Sequence, residues 1–292
     1  MESKNHELTR SLVKIWTVAC VIILMTSCGA AKIAYNSLDI IIPWFLDDYV
    51  TFDETQEHKI AATLSQQLEW HRTTQLPSYI KLLDQIQEDI KSDVSKEQVI
   101  GYYKTTEKMW QIMVIKLTPD IATVLATLED EQVKELFQSM RYENEELKSE
   151  FVDLTVEEMH EGRIERMNDR FERWLDELTP QQQQAIVAWS HDLKPINEYW
   201  LDNRVKWFNE FKTSLSLRDN YRPFYNKLHH LFVDYDDLRT EDYISALKYN
   251  QEKTIDLIID VEHQITDEQR KYLTDEIEDI KQDLIELNND TS

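Results

Sequence analysis

The chain has 292 residues, with 56 Asp and Glu against 32 Lys and Arg and a formal net charge of −24. So acidic a body repels nucleic acid and anionic headgroups and favours a cationic or partly unfolded protein partner. Apolar residues make up 41% of the chain, enough for a core, but only three Gly and six Pro occur, which excludes glycine-rich phosphate loops, nucleotide fingerprints and runs of tight hairpins.

Lys4, Arg10 and Lys14 lead into an apolar run from Ile15 to Met25 broken only by Thr17, the charged and apolar regions of a secretory signal. A helix of that length, at ~1.5 Å per residue, reaches only about half way across a ~30 Å hydrocarbon core. Extending it would place Lys32 and Asp39 in lipid, where charges are costly. Residues 1–27 are therefore expected to be a signal peptide cut between Ser27 and Cys28. Ile23 to Cys28 reads ILMTSC, which resembles the lipobox of bacterial lipoproteins, whose cysteine thiol takes a diacylglycerol. The chain has two cysteines and Cys20 lies inside the apolar run, so Cys28 would be left alone after cleavage and lipidation accounts for it. No second thiol then remains for a disulfide or a zinc site. Two or three acyl chains would hold the protein to a membrane. By resemblance to Gram-negative lipoproteins, Gly29 rather than an Asp after the cysteine implies the outer membrane, with the body facing the periplasm.

Residues 28–50 form an apolar connecting segment, with Ile33, Tyr35, Leu38, Ile40, Ile41, Ile42, Trp44, Phe45 and Leu46, unlike a flexible tether. Either it packs on the body, or Trp44 and Phe45 sit at headgroup level beside the anchor.

From residue 51 to 292 the sequence predicts one helical domain. An apolar residue, a capping side chain and, three residues on, Gln or Glu recur at Phe52-Asp53 with Gln56, Val94-Ser95 with Gln98, Leu154-Thr155 with Glu158, Leu178-Thr179 with Gln182 and Ile265-Thr266 with Gln269, each able to form a capping box. Pro119 and Pro180 follow Thr118 and Thr179 and would open helices. Between caps the apolar spacing is 3 and 4: Val133, Phe137, Met140, Asn144, Leu147, Phe151 and Leu154; Ile164, Met167, Phe171, Trp174 and Leu178; Ile196, Trp200, Trp207 and Phe211; Leu273, Ile277, Ile280, Leu284 and Leu287. These stripes predict an all-α fold, an elongated multi-helix bundle of antiparallel helices. Helices are expected over 53–92, 95–117, 119–128, 130–153, 156–178, 180–215, 222–236, 240–263 and 266–288, with kinks at Pro77 and Pro195.

Tyr35-Asn36, Trp44, Tyr49, Gln56, Glu69-Trp70-His71-Arg72 and Leu76-Pro77-Ser78-Tyr79 resemble a family of uncharacterised Gram-negative outer-membrane lipoproteins known only as a domain of unknown function. The resemblance implies a helical lipoprotein and no assigned activity. Leu178-Thr179-Pro180-Gln181-Gln182 is also similar to the L-T-x-x-Q motif of Spy-like periplasmic chaperones, though those are small and basic on their binding face, and the pattern is equally a capping box.

Candidate chemistry is sparse, and neither a catalytic constellation nor a cofactor is expected: the chain is expected to act by binding another envelope component or an exported polypeptide, with a Spy-like chaperone, or an envelope hydrolase whose site the motifs do not reveal, as the alternatives. Ser190-His191-Asp192 are neighbours whose side chains diverge by about 100° on a helix, so they cannot form a relay. Glu157 and His160 have E-x-x-H spacing, but a di-iron site needs a second such helix. Asp234, Asp236 and Asp237 resemble the start of a calcium loop, yet Arg239 stands where Gly must turn and Ser245 where Glu must close it; His229-His230 lie just upstream. The strongest binding or structural candidate is Trp70, His71 and Arg72 with Pro77 and Tyr79, where a bend frees helical carbonyls.

Overall fold

The computed structural model describes residues 30–290, and among them it contains helices and connections but no strand. In chain order these are α1 (Ala30–Asn36), α2 (Leu38–Leu46), α3 (Glu54–Trp70), a π-helical turn (His71–Gln75), α4 (Leu76–Asp89), α5 (Lys96–Leu125), α6 (Asp130–Phe151), α7 (Val156–Leu175), α8 (Pro180–Asp192), α9 (Asn197–Leu215), α10 (Tyr221–Val233), a 3₁₀ turn (Tyr235–Leu238), α11 (Glu241–Glu262) and α12 (Asp267–Asn289). Residues 1–27, with Ser27 and Cys28, lie outside the described residues.

All five expected capping boxes form. Two helix boundaries differ from expectation. Pro119 does not open a helix: α5 runs through it from Lys96 to Leu125, with Thr118 and Ala122 fully buried beside it. Burial there outweighs the loss of one backbone bond, and the Thr118 hydroxyl donates to Val114 O at 2.6 Å instead of capping. Pro195, expected to kink a helix, ends one. The residue before a proline is pushed out of helical conformation, and Asn250 satisfies the opened backbone by accepting from Lys194 N and donating to Lys194 O, both at 2.9 Å.

Neighbouring helices run antiparallel, as their residue pairings show. Along α4 and α12, Gln87 meets Glu278, Asp84 meets Lys281 and Arg72 meets Asp290. On α6 and α9, Phe137 packs on Phe211 while Asn144 accepts from Arg204. Trp189 and Asp192 of α8 reach Thr254 and Lys253 of α11.

Three apolar clusters form the core. Phe137, Phe211, Leu215, Phe224 and Leu228 anchor the first; Met167, Leu175, Leu178, Ile186 and Val261 the second; Ile90, Val94, Val99, Ile255 and Ile277 the third. The second and third share Trp174 and Leu273. Helix α5 joins the third, through Val99, to the first, through Ala122, roughly 35 Å along its axis at 1.5 Å per residue.

Two pairs of helix starts are locked together by their capping glutamines. Gln56 Nε2 donates to Gln132 Oε1 at 3.0 Å and Gln132 Nε2 to Gln56 Oε1 at 2.6 Å, while the same amides donate to Thr127 O and Thr51 O. Gln182 and Gln269 repeat the arrangement at 3.0 and 2.9 Å, reaching Gln264 O and Glu177 O. Just before the second clasp, Asp176 holds φ 62° and ψ −126°, a conformation costly for any side chain. It turns the chain so that Glu177 O faces Gln269.

Candidate functional site

A cleft of about 580 Å³ lies between α2, α3, α5 and α6. Its walls are Ile60 and Leu64 from α3, Leu117, Ile121 and Val124 from α5, and Leu136 and Met140 from α6. Phe52 and Leu128, the residues just before the first pair of caps, form its floor. The connecting segment forms the remaining wall through Ile42, Phe45 and Leu46. That segment is two-faced. Val50 is buried in the first core, whereas Ile33 and Ile40 are 70% and Phe45 50% exposed. A volume near 600 Å³ lined by apolar side chains is typical of small-molecule sites, which span roughly 300–1,000 Å³.

Apart from Thr63 on α3, the polar lining residues converge at the mouth, about 16 Å of helix rise above Gln56. Gln67, in register with Ile60 and Leu64, donates from Nε2 to Asp120 of α5. Its Oε1 is buried and has no hydrogen-bond partner among the described residues. Across the mouth, burial and the adjacent Glu143 carboxylate push the Tyr49 hydroxyl up to about 12, so it is a neutral donor. Arg204 offsets Glu143 at 3.1 Å. Asp120 has no ion-pair partner among the described residues.

The residues singled out in the sequence between Trp70 and Tyr79 do meet. Pro77 has no N–H and its ring would strike Thr73 O in a regular helix; the π-turn absorbs this, with Leu76 N–H bonded to His71 O and the Thr74 hydroxyl to Trp70 O at 2.6 Å. The turn presents His71 sideways. Its Nδ1 lies 2.9 Å from Tyr35 Oη and its Nε2 3.3 Å from Tyr79 Oη. Arg72 donates to Asn36 Oδ1 at 3.0 Å, Lys32 pairs with Glu286 at 2.7 Å, and Lys116 lies over the Trp70 ring. These contacts fasten α1 to the body, so the cluster acts as a clamp.

Burial holds the His71 pKa below its ordinary 6.5. The unfolded chain then takes up the proton first, so the contribution of His71 to stability is complete above pH 6.5 and is lost as the pH falls through that value toward the depressed folded one. Thermal melts at pH 7.5 and 5 should therefore show a smaller acid-induced drop in His71→Gln than in the parent. An equal drop would mean that His71 does not carry the effect.

The remaining motifs are used structurally. Ser190 is fully buried, and its Oγ lies 3.0 Å from His160 Nδ1, not on His191. The His160 and His191 rings lie 4.2 Å apart, tilted by 34°. Glu157 stands on α7 without a second E-x-x-H helix. His230 lies between Asp234 at 3.1 Å and Asp237 at 3.7 Å, Asp236 pairs with Arg239, and His229 rests on Tyr225. Among the described residues no group of three or more His, Cys, Asp or Glu could hold a metal ion. Gln67, Asp120 and Glu143 are not among the sequence candidates, and Tyr49 is there only as part of the family resemblance. The available signal was Gln67 standing where the Ile60, Leu64 stripe calls for an apolar residue.

A family model described as a family of unknown function (DUF6279) matches residues 48–244. The match covers most of the cleft, the π-turn and Gln182, and ends before α12, which supplies Gln269 and Ile277. No curated protein and no solved structure matches the chain.

Proposed function

We propose that this chain, which belongs to the DUF6279 family of unknown function, is a lipid-anchored binding protein of the cell envelope that works without catalysis. The anchor is Cys28, and the site is the apolar cleft between α2, α3, α5 and α6. The observation that carries the reading is the cleft itself: about 580 Å³ of largely apolar space, with Gln67, Asp120, Tyr49 and Glu143 grouped at its mouth. An open apolar cleft of this kind suits an apolar ligand. The signal-like N-terminus and ILMTSC support a position at the periplasmic face of the outer membrane. No helix among the described residues is long and apolar enough to cross a membrane. The net charge of −24 favours cationic partners for the outer surface.

The alternative of a Spy-like chaperone rested on L-T-P-Q-Q. Thr179 and Gln182 are occupied by the capping box and the clasp with Gln269, so the motif is accounted for inside the fold. A soluble form beginning at residue 30 should bind the neutral dye N-phenyl-1-naphthylamine saturably, with fluorescence enhancement that Val124→Trp removes. Absence of saturable binding in the parent would refute the cleft as a binding site. Suppression of aggregation of a denatured client, unchanged by Val124→Trp, would favour the chaperone.

A further inference from the structure

The mouth of the cleft says what kind of ligand it takes. Two acceptors meet there: the Oε1 of Gln67, buried and without a partner among the described residues, and the carboxylate of Asp120, held by the Gln67 amide and paired with no cation among them. A buried acceptor left unsatisfied is costly, and a ligand that brings a donor recovers that cost. A carboxylate or phosphate headgroup brings no donor and is repelled by Asp120 and by the acidic body as a whole. Below the mouth the lining is apolar apart from Thr63 over roughly 16 Å of helix rise, a length that one acyl chain can span.

We propose that the cleft binds a single-chain amphiphile whose headgroup donates hydrogen bonds and bears no negative charge, such as a monoacylglycerol or a long-chain ammonium. The inference rests on the cleft being the binding site. The tail lies along Leu64, Val124 and Met140. The head places a hydroxyl or ammonium N–H against Gln67 Oε1 and Asp120. No covalent step is involved.

The test uses the full lipidated protein in phosphatidylcholine vesicles with a monoacylglycerol carrying a diazirine in its tail. Crosslinks should map to α2, α3, α5 and α6. Unlabelled monoacylglycerol and alkylamine should compete at concentrations about tenfold below those needed for the fatty carboxylate of equal chain length, the preference expected for one satisfied buried acceptor. Val124→Trp should lose the label, with Leu64→Trp as a second variant if the first fails to fold by circular dichroism. Gln67→Leu should raise the concentration of monoacylglycerol needed to compete about tenfold, to near that of the fatty carboxylate. Equal or tighter competition by the carboxylate overturns the proposal, as does undiminished labelling of folded Val124→Trp or Leu64→Trp. Labelling of Cys28→Ala but not of the lipidated protein also overturns it, because the chain's own acyl groups would then fill the cleft. Saturable dye binding without headgroup preference would leave the binding role standing and remove only this inference; loss of dye binding would remove both.

Discussion

Gln182→Leu is expected to lower the stability of the folded chain by about 3 kcal/mol, because it leaves several buried partners unpaired at once. Gln182 is fully buried and Gln269 nearly so. The Gln182 amide accepts from Thr179 N at 2.9 Å and from Gln269 Nε2, and donates to Gln269 Oε1 and Gln264 O. Leucine satisfies none of these groups and is branched where the amide is flat. For a chain of this size the loss corresponds to a fall in melting temperature of roughly 6–12 °C. Gln132→Leu in the other clasp should cost less, since Gln132 is only half-buried and water can replace part of what is lost. The double variant Gln182→Leu, Gln269→Leu should cost less than the sum of the singles, because both break the same reciprocal bonds. Denaturant titrations of the parent, Gln182→Leu, Gln269→Leu, their double and Gln132→Leu measure all of this. A Gln182→Leu midpoint close to the parent's would show that the clasp contributes little.

Cys28→Ala is expected to abolish incorporation of labelled palmitate and to block lipoprotein-type processing, an all-or-none effect. The thiol is the acceptor of the diacylglyceryl group in the lipobox chemistry that ILMTSC resembles, and after cleavage no other cysteine remains. Without the acyl chains, at about 0.8 kcal/mol per buried CH₂, the body has only the exposed Ile33, Ile40 and Phe45 near its N-terminal end with which to touch a membrane. A mutant that still takes up palmitate and fractionates with membranes would show that the N-terminus is not a lipoprotein signal. Because the His71 clamp and Lys32–Glu286 fasten α1 to the body, an anchor at Cys28 would hold that end of the bundle close to the membrane.

The sequence alone determined where most helices begin, because capping is local: a hydroxyl or carboxylate and a Gln or Glu three residues later bond to each other's backbone whatever surrounds them. The 3-and-4 spacing likewise determined the all-α class and the inward faces, and Phe137, Met167, Phe211 and Ile277 are all in the core. It misread the two prolines whose neighbourhood decides their role. Pro119 stays inside a helix because Thr118 and Ala122 are buried on both sides of it, while Pro195 ends one because Asn250 on a distant helix satisfies the freed backbone. Glu129 with Gln132 went unnoticed because glutamate is a weak capping residue, and nothing local says that the Gln amides of two boxes will face each other across 76 or 87 residues of sequence. The cleft belongs wholly to the tertiary structure. Its walls come from four helices whose stripes each look like ordinary core, and only their placement leaves a space between them. Gln67 was legible as a polar residue in an apolar stripe, but that its oxygen is unpaired beside Asp120 depends on α3 meeting α5 at that height.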